Sequence, residues 1–251
     1  MPAHVARVVA LGASNLTRGF QAVVSTARAA WGPQVEIVAA LGHGRSYGFH
    51  SVFLAREMPG ILESGLWRQL EAMPPAPTRA LVTDVGNDVL YGVSAPQILA
   101  WVDEALGRLR RFTDDIVLTG LPLVNVDTLS RPKFYAFRSI FAPACRLSLE
   151  QVVDVATRVS EGLPKLAAAR SATFVQLKPS WYGFDPIHIR PAMWRTAWQE
   201  ILGAQCDAGR SRAEALKLYF MRPERQWLCG VEQRAPQSGA RLRRGGRAWL
   251  Y

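Results

Sequence analysis

The chain has 251 residues, 49% of them hydrophobic, which suits one α/β domain of ordinary size with a good core, and its formal charge of +10 is concentrated at one end, where residues 205–251 hold ten Lys/Arg against four Asp/Glu. Cys145, Cys206 and Cys229 are widely separated and odd in number, which offers neither a disulfide framework nor zinc-ligand spacing, so no metal is expected. The longest apolar runs, such as residues 35–41, fall far short of the roughly 20 residues of a spanning helix, and the first seven residues leave no room for a standard signal peptide, so no membrane span and a cytoplasmic location are expected.

The first predicted strand covers residues 5–11, an apolar run that ends in Gly12-Ala13-Ser14. Ser14 taken alone is a helix N-cap for the segment starting near Leu16; taken with an imidazole and a carboxylate late in the chain, it is a nucleophile. A second strand over residues 35–41 opens onto Gly42-His43-Gly44-Arg45-Ser46-Tyr47-Gly48, a glycine-rich loop that lacks the third-glycine spacing of a dinucleotide fingerprint. No other ligand-type residue stands at metal spacing beside His43 or His50, which are read as loop residues.

Pro74-Pro75-Ala76-Pro77 is a stiff connector into a third strand over residues 80–85. That strand leads into Gly86-Asn87-Asp88. These are turn formers in isolation, but an asparagine amide at a strand's carboxyl end is also a natural oxyanion donor, with Asp88 beside it as a loop-fixing residue. Ser94-Ala95-Pro96-Gln97 has a capping-box pattern and starts a helix with Ile98, Trp101, Val102, Ala105 and Leu109 on one face. After a fourth strand over residues 116–121 come Phe134, Phe137 and Phe141 at i, i+3, i+7. These form either a core-facing helix stripe or, as a candidate substrate pocket, the aromatic face of a lid over residues 125–145.

Ser148-Leu149-Glu150-Gln151 repeats the helix-start signal, and a fifth strand covers residues 173–177. Asp185-Pro186-Ile187-His188 then puts a carboxylate three residues from an imidazole, ahead of a last helix carrying Met193, Trp194, Ala197, Trp198, Ile201 and Leu202. A hydroxyl, an imidazole and a carboxylate are what acyl transfer needs: a nucleophile, a base for its proton, and an anion to fix the base's tautomer. Beyond Gly203 the pattern changes. Short strands are expected over residues 216–220, 227–231, 240–243 and 247–251, with Arg244-Gly245-Gly246 as a hairpin turn.

Taken in order, Gly12-Ala13-Ser14, a glycine in the 42–48 loop, Gly86-Asn87-Asp88 and Asp185 to His188 resemble the four blocks of the SGNH (GDSL-type) hydrolase/esterase family over roughly residues 5–203. The resemblance implies a flavodoxin-like, three-layer α/β/α sandwich with a five-stranded, mostly parallel sheet. A catalytic domain would then occupy residues 1–203 and a basic, β-rich extension residues 204–251, the latter packed on the domain or at a homo-oligomer contact. It also implies a catalytic Ser14, Asp185 and His188, and an oxyanion hole from Ser14, Asn87 and either Gly44, which aligns better, or Gly42. The function implied is a serine hydrolase that cleaves a small acyl ester through an acyl-enzyme on Ser14, without a cofactor. An O-acyltransferase on the same scaffold is the alternative. Ala13 departs from the family's Gly-Asp-Ser, so the hydrogen bonds that aspartate makes to fix the loop are missing. The arginines of the tail, Arg241, Arg243, Arg244 and Arg247, also suit a nucleic-acid or anionic-surface binder, although no nucleic-acid motif accompanies them.

Overall fold

The structure is a computed structural model, and it describes residues 6–122, 131–132, 134–135, 139, 145–204, 212–243 and 245–251. In chain order, β1 (Arg7–Leu11) leads into α1 (Ser14–Trp31) and β2 (Glu36–Ala40). A small hairpin of β3 (Ser51–Phe53) and β4 (Arg56–Met58) comes next, followed by α2 (Leu66–Ala72) and β5 (Thr78–Val82). The short α3 (Asn87–Leu90), α4 (Ala95–Leu109), β6 (Asp115–Thr119), α5 (Leu149–Ala169), β7 (Thr173–Val175) and α6 (Trp194–Ile201) complete the part covered by the sequence resemblance. The tail contributes α7 (Arg212–Tyr219), the hairpin β8 (Arg225–Leu228) and β9 (Val231–Arg234), and the pair β10 (Ala240–Arg241) and β11 (Arg247–Leu250).

The five expected strands all form, and β2, β1, β5, β6 and β7 lie side by side in parallel. Their alternation divides the core. Val9, Leu11, Val38, Ala80 and Val82 pack with Ile98, Val102, Val159 and Leu163 of α4 and α5. Val8, Ala10, Ile37 and Leu81 pack with Leu16, Phe20, Val23, Trp198 and Ile201 of α1 and α6. Both faces of a parallel sheet are thus covered by helices, the arrangement that buries strands apolar on both sides. Leu11 stands level with Ala40 and Val82, so the loops carrying Ser14, Gly44 and Asn87 leave the sheet along one edge.

The sheet has seven strands and not five, because the tail extends it. β11 pairs in parallel with β2, Trp249 against Val38, and β10 adds an antiparallel edge. Without β11 the backbone of β2 would form an open edge beside a buried core; Ala248, Trp249 and Leu250 cover it and are themselves buried. The expected turn between the last two strands is carried by Gly245 and Gly246, at φ +107° and +76°. Residues 216–219 of the expected strand 216–220 belong instead to α7, where Glu214, Ala215, Leu216, Lys217 and Leu218 are good helix formers. Arg28 of α1 pins that helix through an ion pair with Glu214, which is buried.

A second sheet was not foreseen. β3 and β4 pair antiparallel, and β4 then pairs with β8 and β8 with β9, so the tail hairpin completes a four-stranded sheet begun by an insertion after β2. Helix starts are mixed. Ser148 makes the full reciprocal capping box with Gln151, whereas Ser94 makes no side-chain capping bond and α4 starts with proline in its first turn. No helix among the described residues is long and apolar enough to cross a membrane.

Candidate active site

Ser14 is the first residue of α1, with Ala13 in the N-cap position and no side-chain cap from Ala13, so the N-cap reading of Ser14 does not hold. Its side chain is buried, and Oγ lies 3.0 Å from Nε2 of His188. Nδ1 of His188 lies 2.6 Å from Oδ2 of Asp185. With Nδ1–H donating to the carboxylate, Nε2 is left to accept the serine O–H.

The Asp185-to-His188 spacing holds the ring by local bonds. Oδ1 of Asp185 accepts the backbone N–H of Ile187 at 3.1 Å and of His188 at 3.2 Å, folding the four residues into a tight turn. Burial pushes the Asp185 carboxyl up, but His188 and these two N–H groups outweigh it and hold the carboxyl below the usual range.

Two residues that sequence reasoning does not single out lock the Ser14 loop. Asp84, just past β5 and in the left-handed region at φ +59°, accepts the N–H of Ala13 at 2.9 Å and of Leu16 at 3.0 Å through Oδ2. Its Oδ1 accepts Nδ2 of Asn15 at 2.9 Å. A carboxylate supplied from a neighbouring strand thus satisfies the exposed N–H groups of the helix start and complements the helix dipole, as a side chain at position 13 would otherwise have to. Asn15 bridges onward: Nδ2 also donates to the Ile187 carbonyl at 2.9 Å, and Oδ1 accepts the Ile189 N–H at 2.8 Å. The loops of Ser14 and His188 are therefore clamped to each other on both sides of the imidazole. The available sequence signals were Asn15's place beside Ser14 and a charged residue interrupting an apolar strand end at Asp84.

The glycine loop and the Asn87 loop are tied together in the same way. The Tyr47 N–H donates to Oδ2 of Asp88 at 3.0 Å, Nδ2 of Asn87 donates to the Arg45 carbonyl at 3.4 Å, and the Tyr91 hydroxyl donates to the Gly44 carbonyl at 2.5 Å. Burial raises the Asp88 carboxyl to about 6, with the Ser46 hydroxyl and Tyr47 N–H offsetting only part of it. Gly44 adopts φ +64°, and a Cβ there would come within 2.9 Å of Phe53, so both conformation and space demand glycine. Gly42 instead faces the Met58 sulfur. Arg45 is fully buried and donates to the carbonyls of Pro59, Leu41 and Tyr251, which joins the loop to the end of β11.

His43 lies against Phe53, with ring centroids 5.9 Å apart. Burial and then the positive charges of Arg18, His188 and Arg56 depress its pKa to about 4, so it is neutral near pH 7. His50 pairs with Glu57 at 3.1 Å and packs on Trp227, away from this loop. Of the three candidate pocket phenylalanines, Phe134 is buried in the core cluster shared with α4 and α5; Phe137 and Phe141 lie outside the described residues, as does most of the 125–145 segment.

No protein-family model matches the sequence, and no curated protein does. Solved structures do match. An aryl esterase from M. smegmatis superposes with a TM-score of 0.53 at 12% identity, over 79% of this chain and 97% of its own. Est24, a carbohydrate acetylesterase from Sinorhizobium meliloti, gives 0.54 at 14% identity, over 78% and 97%. The chain has the fold of these esterases. The fold expected from the SGNH resemblance is therefore the one observed, enlarged at the β2 edge by two tail strands.

Proposed function

We propose that the protein is a carboxylic-ester hydrolase working through an acyl-enzyme on Ser14. The observation that carries this reading is the unbroken run from Ser14 Oγ to His188 Nε2 at 3.0 Å and from His188 Nδ1 to Asp185 at 2.6 Å, at the carboxyl edge of a parallel sheet. His188 takes the serine proton as Oγ attacks the ester carbonyl. Asp185 stays ionised, holds the tautomer and stabilises the imidazolium. The tetrahedral intermediate collapses as His188 returns the proton to the departing alkoxide. A water molecule, deprotonated by the same imidazole, then releases the acid and regenerates Ser14.

The oxyanion is assigned to the N–H groups of Ser14 and Gly44 and the side-chain amide of Asn87. In favour of Gly44 over Gly42, its carbonyl is held by Tyr91 and the next carbonyl by Asn87, which aligns that peptide run beside the asparagine. Among the described residues neither the Ser14 nor the Gly44 N–H has a protein acceptor, and the Asn87 bond at 3.4 Å is long enough to be exchanged for a charged oxygen.

The test is hydrolysis of p-nitrophenyl esters from acetate to octanoate by the purified protein and by Ser14→Ala, with and without an added alcohol. Turnover lost in the variant and giving free acid supports the hydrolase. An acyl group delivered to the alcohol in preference to water shifts the reading to an O-acyltransferase. Equal turnover by both proteins refutes it.

A further inference from the structure

The four-stranded sheet meets the Gly44 loop through Phe53, and its pairing register shows which residues share that face. Phe53 is paired with Arg56, Arg56 with Leu228, and Leu228 with Val231. Directly paired residues share a face, so these four side chains form one row across the sheet. The row begins at the oxyanion loop, where Phe53 meets both Gly44 and the His43 ring. It runs outward to Leu228 and Val231, which are 44% and 64% exposed. Arg56 is second in that row, one strand spacing or about 5 Å beyond Phe53.

The acidic residues of this sheet are on its other face. Glu57 and Glu232 both pair with Trp227, and each is engaged there, Glu57 by His50 and Glu232 by Arg225 and Arg234. Among the described residues no carboxylate pairs with Arg56. On α1, Arg18 stands one helical turn beyond Ser14, so it shares that face of the helix. Its guanidinium is 3.9 Å from Asp185 Oδ2, beyond hydrogen-bond distance, and Asp185 is already committed to His188 and two backbone N–H groups. The positive charges of both arginines reach His43, the ring that Phe53 packs on, and help to keep it neutral.

We propose that the site selects esters carrying an anionic group, a carboxylate or a phosphate, a few carbons from the scissile carbonyl, held between Arg56 and Arg18 with Phe53 as the apolar wall. Charge complementarity identifies the ligand. Among the described residues Arg56 has no carboxylate partner and Arg18 has only its long ion pair with Asp185, and a local excess of positive charge concentrates anionic ligands. This inference rests on the hydrolase reading and adds the substrate class to it.

The test compares kcat/KM of the full chain for p-nitrophenyl hemiadipate, its ω-phosphono analogue and neutral p-nitrophenyl hexanoate, with Ser14→Ala subtracted as the blank for spontaneous hydrolysis. The wild-type protein should favour at least one acidic ester by about tenfold or more, an advantage that shrinks as salt is added. The larger of the two ratios separates carboxylate from phosphate recognition. Arg56→Ala should bring the ratio close to one, Arg56→Lys should retain most of it, and Arg56→Glu should reverse it in favour of an ω-trimethylammonio ester. Because each ratio is internal to one protein, a partly misfolded variant does not distort it. Preference of the wild type for the neutral ester, or a ratio unmoved by Arg56→Ala, overturns the proposal while leaving the hydrolase intact. Absence of Ser14-dependent turnover on all the esters overturns the hydrolase reading, and this one with it.

Discussion

Replacing Asp84 by asparagine tests how the site works without an aspartate before the serine. The carboxylate accepts three bonds, from the N–H of Ala13 at 2.9 Å, the N–H of Leu16 at 3.0 Å and Nδ2 of Asn15 at 2.9 Å. An asparagine can turn only one oxygen to these donors, and its amide N–H₂ then faces a donor it cannot accept from. Asn15 cannot flip to compensate, because its own oxygen holds the Ile189 N–H. Losing one charge-assisted bond costs about 1.5–3 kcal/mol. Removing the negative charge from the start of α1 adds roughly 0.3–1 kcal/mol, for a total of about 2–4 kcal/mol. Part of that appears as lost stability and part as a displaced Ser14. A displacement near 1 Å is enough for a drop in kcat on the order of 10²-fold, with KM changed far less. Steady-state kinetics on the best ester and urea unfolding of the same samples read the two parts separately. Ala13→Asp supplies the complementary arm. Next to an intact Asp84 it sets two carboxylates against each other and should impair the enzyme, whereas combined with Asp84→Ala it should recover part of the lost kcat, a favourable coupling in a double-mutant cycle. Wild-type kcat and stability in Asp84→Asn, or purely additive effects in the cycle, would refute the reasoning.

Two further outcomes are expected. Burial raises the Asp88 carboxyl from 3.8 to about 6, so between roughly pH 4 and pH 6 the folded protein retains a proton that the unfolded chain has released. Stability contributed by this group therefore falls as pH rises through that window and is level above it, by at most on the order of 3 kcal/mol. Asp103, held low by its bond to Arg170, tilts the profile the other way, so the informative quantity is the urea midpoint of Asp88→Asn minus that of wild type. That difference should shift in the variant's favour between pH 4.5 and pH 7, and a constant difference contradicts the assignment. In the tail, Trp249→Ala removes a buried indole from the strand that covers β2, which should cost about 3–5 kcal/mol and lower Tm by roughly 10 °C in a differential scan. A change within 2 °C would show that β11 adds little to the sheet.

The central sheet was legible because continuous apolar strands between helical stretches have few alternatives, and the four blocks at strand ends pointed to one edge. The tail was harder to read. Residues 247–251 were recognised as a strand, but its partner could not be, since parallel pairing with β2 is a contact made across more than two hundred residues and leaves no local pattern. Residues 216–220 alternate weakly, which suggests a strand; helical propensity, together with an ion pair from α1, makes 216–219 the end of α7 instead. The β3–β4 hairpin escaped notice because each strand has only three residues and the turn is made by Leu54 at φ +55°, a residue that carries no turn signal.

Within the site, Ser14, His188 and Asp185, which the structure brings together, stand out in the sequence and the groups that hold them do not, for a physical reason. A nucleophile, a base and an acid must be of particular residue types, so their identities are informative wherever they occur. A carboxylate that caps the start of α1 needs only to arrive at the right point in space, and it can come from any element that reaches there. Asp84 arrives from the end of β5, seventy residues after Ser14, and its left-handed backbone turns the side chain back toward β1. The missing aspartate at position 13 is thus an absence in the sequence but not in the fold, since the anion at the start of α1 is supplied by the neighbouring strand. The same logic joins the tail to the chemistry. Arg45 follows Gly44 and is anchored on the carbonyl of Tyr251, just past β11. One buried guanidinium thus ties the end of β11 to the Gly44 loop.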